Sequence, residues 1–390
     1  MEEQLYQTLT DYYHEMVDIR RHLHQYPEVS FEEIETPNYI ARYHEALGIP
    51  VKTGVGGRGV VATLKGGKPG PTIALRADFD ALPIQDQKNV PYKSKIDGAM
   101  HGCGHDGHTA TLLVLAKALA EQAENLKGTI VFLHQHAEEH APGGAEPMIA
   151  DGCLEGVDVV FGTHLWAVDP LWTIQQRNGP FMAATDQFYI NIEGMSGHGA
   201  APHTGRDAIV IGSQMVNTIQ TLVSRRVNPL ESAVVSIGSF VADNPYNVIA
   251  GTASLVGTVR TFKEDIRTQI EQELENIVTG TAKTMGATAD FKYERGYAPV
   301  INDEVTNNYL ASIAGTVPGV ERVDTREPIM AAEDFSAYLK ERKGTFFFTG
   351  AAFPDREENY PHHHPKFDFD ERAMLIAAKT LGKAVLNYNE

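Results

Sequence analysis

The chain has 390 residues, 42% hydrophobic and 22% charged, with 51 acidic against 33 basic side chains and a net charge of −18. That length favours two domains over one core, and the acidic balance argues against nucleic acid or an anionic membrane as a partner. Two cysteines, Cys103 and Cys153, cannot form a disulfide framework, no signal-like start is seen, and no apolar run reaches the ~20 residues that span a bilayer; a cytoplasmic location is expected.

Apolar residues at 5, 9, 12, 16, 19 and 23 predict one amphipathic helix ending near Pro27. Three short, β-branched runs follow, Thr72 to Arg76, Thr129 to Leu133 and Asp158 to Gly162, patterned as strands buried on both faces. Each leads into candidate ligands: Asp78 and Asp80, then Glu138-Glu139, then His164. Sites in open α/β sheets form outside the carboxyl ends of strands, so the three runs deliver these side chains to one rim. Between the first two lies Cys103-Gly104-His105-Asp106-Gly107-His108, directly before the apolar helix Leu112 to Leu119. Glycines 102, 104 and 107 let that backbone turn tightly enough for its donors to converge.

From about Asp186 the rhythm changes to β (Asp186 to Glu193), α (Ile211, Met215, Ile219, Leu222), β (Ala233 to Val241), β (Ala253 to Phe262), α (Ile266, Ile270, Leu274, Ile277), β (Ala287 to Tyr293). This βαββαβ order is the ferredoxin-like split arrangement. The expected architecture is α/β: a catalytic domain from 1–182 and 296–390, with 183–295 inserted as a second domain. The last segment carries a further histidine run, His362-His363-His364.

Cys103, His105, Glu139, His164 and one of those three histidines supply about five donors, more than one tetrahedral ion takes. The surplus predicts two ions sharing a bridging group. Of Glu138 and Glu139, one carboxylate ligates while the other moves a proton. Asp80 is the candidate for orienting a ligating imidazole. His101, His108, His134, His136 and His140 are expected to be structural. Gly197-His198-Gly199-Ala200-Ala201-Pro202-His203 could bring an imidazole to a developing oxyanion. Asn247 and Arg260 would suit a substrate carboxylate.

These motifs resemble the amidohydrolase branch of the aminoacylase and carboxypeptidase G metallopeptidases, which includes indole-acetyl-amino-acid hydrolases, hippurate hydrolases and N-acetyldiaminopimelate deacetylases. The resemblance covers Arg20 to Glu28, Arg76 to Pro83, Met100 to Ala110, Ala137-Glu138-Glu139 with Gly143 to Ala145, and Gly162 to His164. It continues through Gly197 to His203, Asn247 to Ile249, Gly257 to Arg260, Glu333 to Ser336 and His363 to Phe367. It implies a mixed-sheet metallopeptidase catalytic domain carrying a lid. It implies metal ligands Cys103, His105, Glu139, His164 and His363, with Glu138 as general base. His363 is chosen on the family's spacing to Pro365 and Phe367, and His362 and His364 crowd that register. His198 would stabilise the oxyanion from a partner subunit's lid, and Asn247 and Arg260 would contact the substrate carboxylate. The implied reaction is hydrolysis of N-acyl amino acids in a homodimer or homotetramer with two divalent ions per subunit. Zinc or manganese is expected, with cobalt or nickel possible, and a dipeptidase, aminopeptidase or carboxypeptidase is the alternative. Two departures, His136 for proline and Ala331-Ala332 for Gly-Ser, bear on substrate choice.

Overall fold

The computed structural model describes residues 1–388. The chain divides into two compact units, one of Met1–Phe181, Ile301–Glu327 and residues from Asp334 on, the other of Met182–Val300 and Pro328–Glu333.

The first unit is built on an eight-stranded sheet. Its spatial order is Val51–Val55, Gly59–Lys65, Lys127–Gln135, Lys68–Asp78, Val159–Pro170, Lys343–Ala352, Thr173–Gln176, Arg322–Thr325. The four central strands run parallel, and antiparallel pairs flank them. Arg76 pairs with both Leu133 and Gly162, and Asp78 with Gln135. The three sequence-predicted runs therefore lie level with one another. The strands Lys68–Asp78 and Lys127–Gln135 end there, but the third runs on to Pro170, so His164 sits within a strand, paired with Phe348, and not beyond its end.

Helix His105–Ala120 is buried at every residue except Lys117 and Ala120, as expected for a helix apolar on all sides. It packs against Tyr13–Gln25 and Arg372–Asn387. Its start is fixed by charge. Fully buried Arg20 donates to Asp106 (2.9 Å), Asp368 (2.8 Å) and Glu371 (3.2 Å), and His24 Nδ1 lies 2.7 Å from the same Asp106 oxygen. Arg20 and His24 outweigh burial and hold the Asp106 carboxyl far below its usual range.

The single first helix expected from periodicity is in fact two, Glu2–Asp11 and Tyr13–Gln25. The break falls at Tyr12, whose hydroxyl donates to Glu121 at 2.5 Å. Apolar spacing continues through the break and cannot reveal it.

A second buried pair lies between the helix Glu35–Ala46 and the sheet. His44 Nε2 and His134 Nε2 are 2.9 Å apart, both rings fully buried. One must donate and the other accept, so the folded state holds both neutral. Burial drives His44 down to about 4, and burial plus His44 drives His134 well below its ordinary value. Unfolded imidazoles take protons near pH 6.5. The pair's contribution is therefore complete above about pH 6.5 and is lost as pH falls toward 4, because the unfolded chain then binds more protons. Each imidazole should account for on the order of 1–2 kcal/mol of stability lost between pH 6.5 and 5. We predict that urea midpoints measured at pH 7 and pH 5 will differ less in a His44→Leu/His134→Leu variant than in the parent. An unchanged difference would remove this pair from the acid response.

The second unit has the order β (Ala184–Glu193), α (Ala208–Arg225), β (Ala233–Val241), β (Thr252–Thr261), α (Glu264–Thr284), β (Thr288–Arg295). Its sheet runs Ala233–Val241, Thr252–Thr261, Ala184–Glu193, Thr288–Arg295, antiparallel throughout. Alternation is clean on Ala184–Glu193, and Phe188, Ile190 and Ile192 pack on Ile211, Met215, Ile270 and Leu274. Segment 328–333 joins this unit because Ala183 N–H donates to Ile329 and Ala331 carbonyls (3.1 and 2.9 Å). Periodicity carries no sign of it.

Candidate active site

Gly104 has φ +98° and immediately precedes the first helical residue, His105. A side chain there would pay the left-handed cost, and the turn throws Cys103 and His105 to the same side. The donor atoms of Cys103, His105 and His164 all lie within 4.8 Å of one another, with Cys103 Sγ 3.4 Å from His164 Nε2. Donors of Cys103, Glu139 and His363 form a second such group, and those of His105, Glu138 and Glu139 a third. His363 Nε2 is 3.2 Å from Glu139 Oε2.

Two left-handed, non-glycine residues build this geometry. Ala137 (φ +52°) turns the chain between the strand ending at Gln135 and Glu138, and His363 itself has φ +66°. Such conformations persist only where surrounding structure holds them. The three terminal histidines separate clearly. His362 donates from Nε2 to the Leu165 carbonyl (3.1 Å), and His364 stacks on Tyr360; His363 is the one that reaches Glu139.

Asp80 receives His105 Nδ1–H on its carbonyl (3.0 Å) and Oδ1 (3.1 Å). His105 thereby turns Nε2, the nitrogen a metal would take, toward Asp78 Oδ2 at 3.7 Å, Glu138 Oε2 at 3.8 Å and Glu139 Oε1 at 3.9 Å. Asp80 Oδ2 accepts from Ser30 (2.6 Å) and from the Glu139 backbone (3.0 Å). His164 Nδ1 similarly donates to the Leu165 carbonyl (3.1 Å), freeing Nε2 toward Cys103.

Asp78 and His108 have another task. Leu165 N–H donates to His108 Nε2 (2.9 Å), so His108 Nδ1–H donates to Asp78 (2.6 Å). Arg76 links Asp78 (2.5 Å) to Asp334 (2.9 Å), and Asp334 accepts from Gln135 and from the Gly144 and Ala145 backbone. Sequence reading leaves this buried lattice unseen, because its members are far apart in the chain and follow no spacing rule.

The electrostatics of the cluster fit dications. His105 Nε2 and Glu139 Oε1 are buried with no hydrogen-bond partner among the described residues. Burial opposes a charge on His105, yet Asp78, Asp80 and Glu139 outweigh it and raise the imidazole to about 10. Burial, then Glu139, Glu138 and Asp78, push the Cys103 thiol well above its usual range. An excess of carboxylate around a thiol that cannot ionise unaided is what a divalent cation relieves. His164, kept neutral by burial and by His108 and His362, is ready to ligate without releasing a proton.

The other candidate residues are in the second unit. His198 pairs with Val248 on a two-residue ladder, Gly197–His198 against Val248–Ile249, and Gly199 N–H donates to the Asn247 carbonyl at 2.8 Å. His198 and Asn247 are thus neighbours. Ala200 N–H donates to His198 Nδ1 (3.0 Å), so the neutral ring carries its proton on Nε2. Arg260 is the penultimate residue of the strand Thr252–Thr261, with Nη1 donating to Thr258 Oγ1 and, at 3.0 Å, to the Val259 carbonyl.

The chain matches the model of Peptidase family M20/M25/M40 over residues 74–387. It is 55% identical over 390 residues, all of this chain and 98% of the relative, to a Bacillus subtilis (strain 168) protein provisionally named amidohydrolase YhaA. It is 48% identical over 288 residues, 73% of this chain and 76% of the relative, to an N-acyl-L-amino acid amidohydrolase of Geobacillus stearothermophilus. Among solved structures it is similar to Bacillus subtilis YXEP protein, described as a dinuclear metal-binding peptidase from the M20 family. The TM-score is 0.84 at 35% identity, covering 97% of this chain and 98% of that one. No helix among the described residues is long and apolar enough to cross a membrane. A mixed sheet whose strand ends gather thiol, imidazole and carboxylate donors, together with a family match over most of its length, places this chain in peptidase family M20/M25/M40 as an amide-bond hydrolase.

Proposed function

We propose that the protein is a cytoplasmic enzyme that hydrolyses N-acyl amino acids to a carboxylate and a free amino acid. Cys103, His105, Glu139, His164 and His363 would hold two divalent ions, zinc or manganese before cobalt or nickel. The observation that carries this reading is the overlap of the donor groups: Cys103 belongs to two of them, and His105 and Glu139 each belong to one of those two and to the third. When bound, such ions polarise the scissile carbonyl and make a neighbouring water acidic enough to attack near neutral pH.

Glu138, buried beside His105 but with no role in orienting it, takes the proton of the attacking water and passes it to the departing amine. Asp80 keeps His105 in the tautomer that presents Nε2. His198, with its proton on Nε2, donates to the oxyanion, reaching it as part of a lid (183–295) contributed by the partner subunit of a homodimer or homotetramer. The Asn247 amide and the Arg260 guanidinium hold the substrate carboxylate. The N-acyl-L-amino acid amidohydrolase relative supports the substrate class. The similarity to a structure described as a peptidase keeps dipeptides as the second reading.

Amine release should be measured from a panel of N-acyl amino acids and dipeptides, on metal-stripped protein and on protein reloaded with zinc or manganese. Release from N-acyl amino acids only after reloading is expected. Release confined to dipeptides would make the enzyme a peptidase, and silence with metal bound would overturn the reading.

A further inference from the structure

Glu138 is bracketed by two backbone N–H groups, and each is held by a buried carboxylate. On its far side the Glu139 N–H donates to Asp80 Oδ2 at 3.0 Å. On its near side the Ala137 N–H donates to Glu33 Oε1 at 2.9 Å. Ala137 is the residue with φ +52°, a conformation that its Cβ opposes and that a fixed acceptor can hold in place.

Glu33 is fully buried, and a buried carboxylate is costly unless matched. Its compensation is thin. Oε2 has no hydrogen-bond partner among the described residues, and Arg58 Nε stands 3.8 Å from it, while the Arg58 guanidinium also donates to the Glu33 carbonyl. Burial accordingly pushes the Glu33 carboxyl up to about 7. Besides its own backbone N–H and the Arg58 guanidinium, the group the carboxylate meets is the Ala137 N–H, and that contact is what the fold gains by tolerating it.

The segment carrying Glu33 is itself anchored. The Glu28 carboxylate accepts from Glu35 N–H (2.9 Å) and Thr36 N–H (2.8 Å), and the Glu28 carbonyl accepts from Ala81 N–H (2.8 Å), next to Asp80. Glu33 and Asp80 are thereby tied through one short stretch of chain.

We infer that Glu33 is a positioning residue that, with Asp80, clamps the backbone on both sides of Glu138 and so aims Glu138 and Glu139 at the donor cluster. Glu138's part in this rests on the reaction proposed above; Glu139's part rests only on the metal site proposed there, and is read through metal affinity.

The test compares Glu33→Gln, which keeps an acceptor for Ala137, with Glu33→Met, which fills the same volume without one. Zinc affinity is measured by chelator competition, and kcat and KM are measured on the zinc-loaded enzyme. Glu33→Met should lose about 10–100-fold in zinc affinity and at least about tenfold in kcat, with KM changed by less than about threefold. Glu33→Gln should stay within about threefold of the parent in all three. Parental affinity and kcat in a folded Glu33→Met protein, checked by circular dichroism, would overturn the inference. Equal impairment in Glu33→Gln would overturn it too. Should Glu33→Met not fold, Glu33→Asp replaces it with the same expected losses, since its shorter arm keeps the charge but falls short of Ala137. If the parent enzyme hydrolyses nothing in the panel, the proposed function fails, and chelator competition alone still decides the role of Glu33.

Discussion

Glu138→Gln should keep its full complement of metal and lose about 10²–10⁴-fold in kcat, the usual worth of a positioned general base. The substitution preserves side-chain volume at a buried position. It leaves the Glu139 N–H on Asp80 and the His105 tautomer untouched, because neither depends on the Glu138 carboxylate. What it removes is the only function we assign to Glu138, taking a proton. Metal analysis alongside steady-state kinetics checks both halves. Near-parental turnover would move the base elsewhere, and loss of metal would instead make Glu138 a ligand.

Removing the metal should abolish turnover, and Cys103→Ala should do so even with metal supplied. Cys103 belongs to two of the donor groups, one with His105 and His164 and one with Glu139 and His363, so its loss should weaken both of the proposed ion positions together. The metal-free cluster sets Asp78, Asp80, Glu138 and Glu139 around a His105 whose imidazole is raised to about 10 and a thiol held protonated. Binding must expel those protons, so affinity should rise with pH across the neutral range. Metal binds the folded state, and at a thousandfold excess over Kd the expected stabilisation is about 4 kcal/mol. Thermal unfolding with and without chelator at pH 6 and pH 8 reads both effects. A midpoint indifferent to chelator would show that the cluster binds no metal worth the name. A chelator effect equal at both pH values would show that Cys103 and His105 do not exchange protons for it.

The donors are conspicuous in the amino-acid sequence for a local reason. A soft thiol and imidazoles stand beside glycines, and carboxylates and His164 directly follow short β-branched runs. Strand order and parallel register then carry Asp80, Glu138-Glu139 and His164 to one rim. The βαββαβ unit is legible for the same kind of reason, since apolar positions repeat every two or about 3.6 residues wherever one face is buried. Segment 328–333 is not, because a short stretch that pairs by backbone alone has no side-chain period.

The choice among His362, His363 and His364 shows where local information stops. All three are chemically alike and adjacent, and the family spacing favours one. The rings diverge because His363 takes a left-handed backbone conformation while His362 is drawn to the Leu165 carbonyl and His364 to Tyr360. Asp78 and Asp80 divide similarly. Two residues apart on an extended chain, one meets His108 and Arg76, the other His105 and the Glu139 backbone.

By itself, then, the sequence determined which chemistry the chain can carry, since donor types, glycines and strand periodicity are properties of short stretches. Only the tertiary structure decided which nitrogen of His105 and His164 faces the donor cluster, which terminal histidine reaches Glu139, and that Glu33 holds Ala137. Apart from the His164 bond to the adjacent Leu165 carbonyl, those outcomes depend on contacts between residues tens to hundreds of positions apart, and a hydrogen bond is made or missed within a few tenths of an ångström, a tolerance no residue pattern encodes.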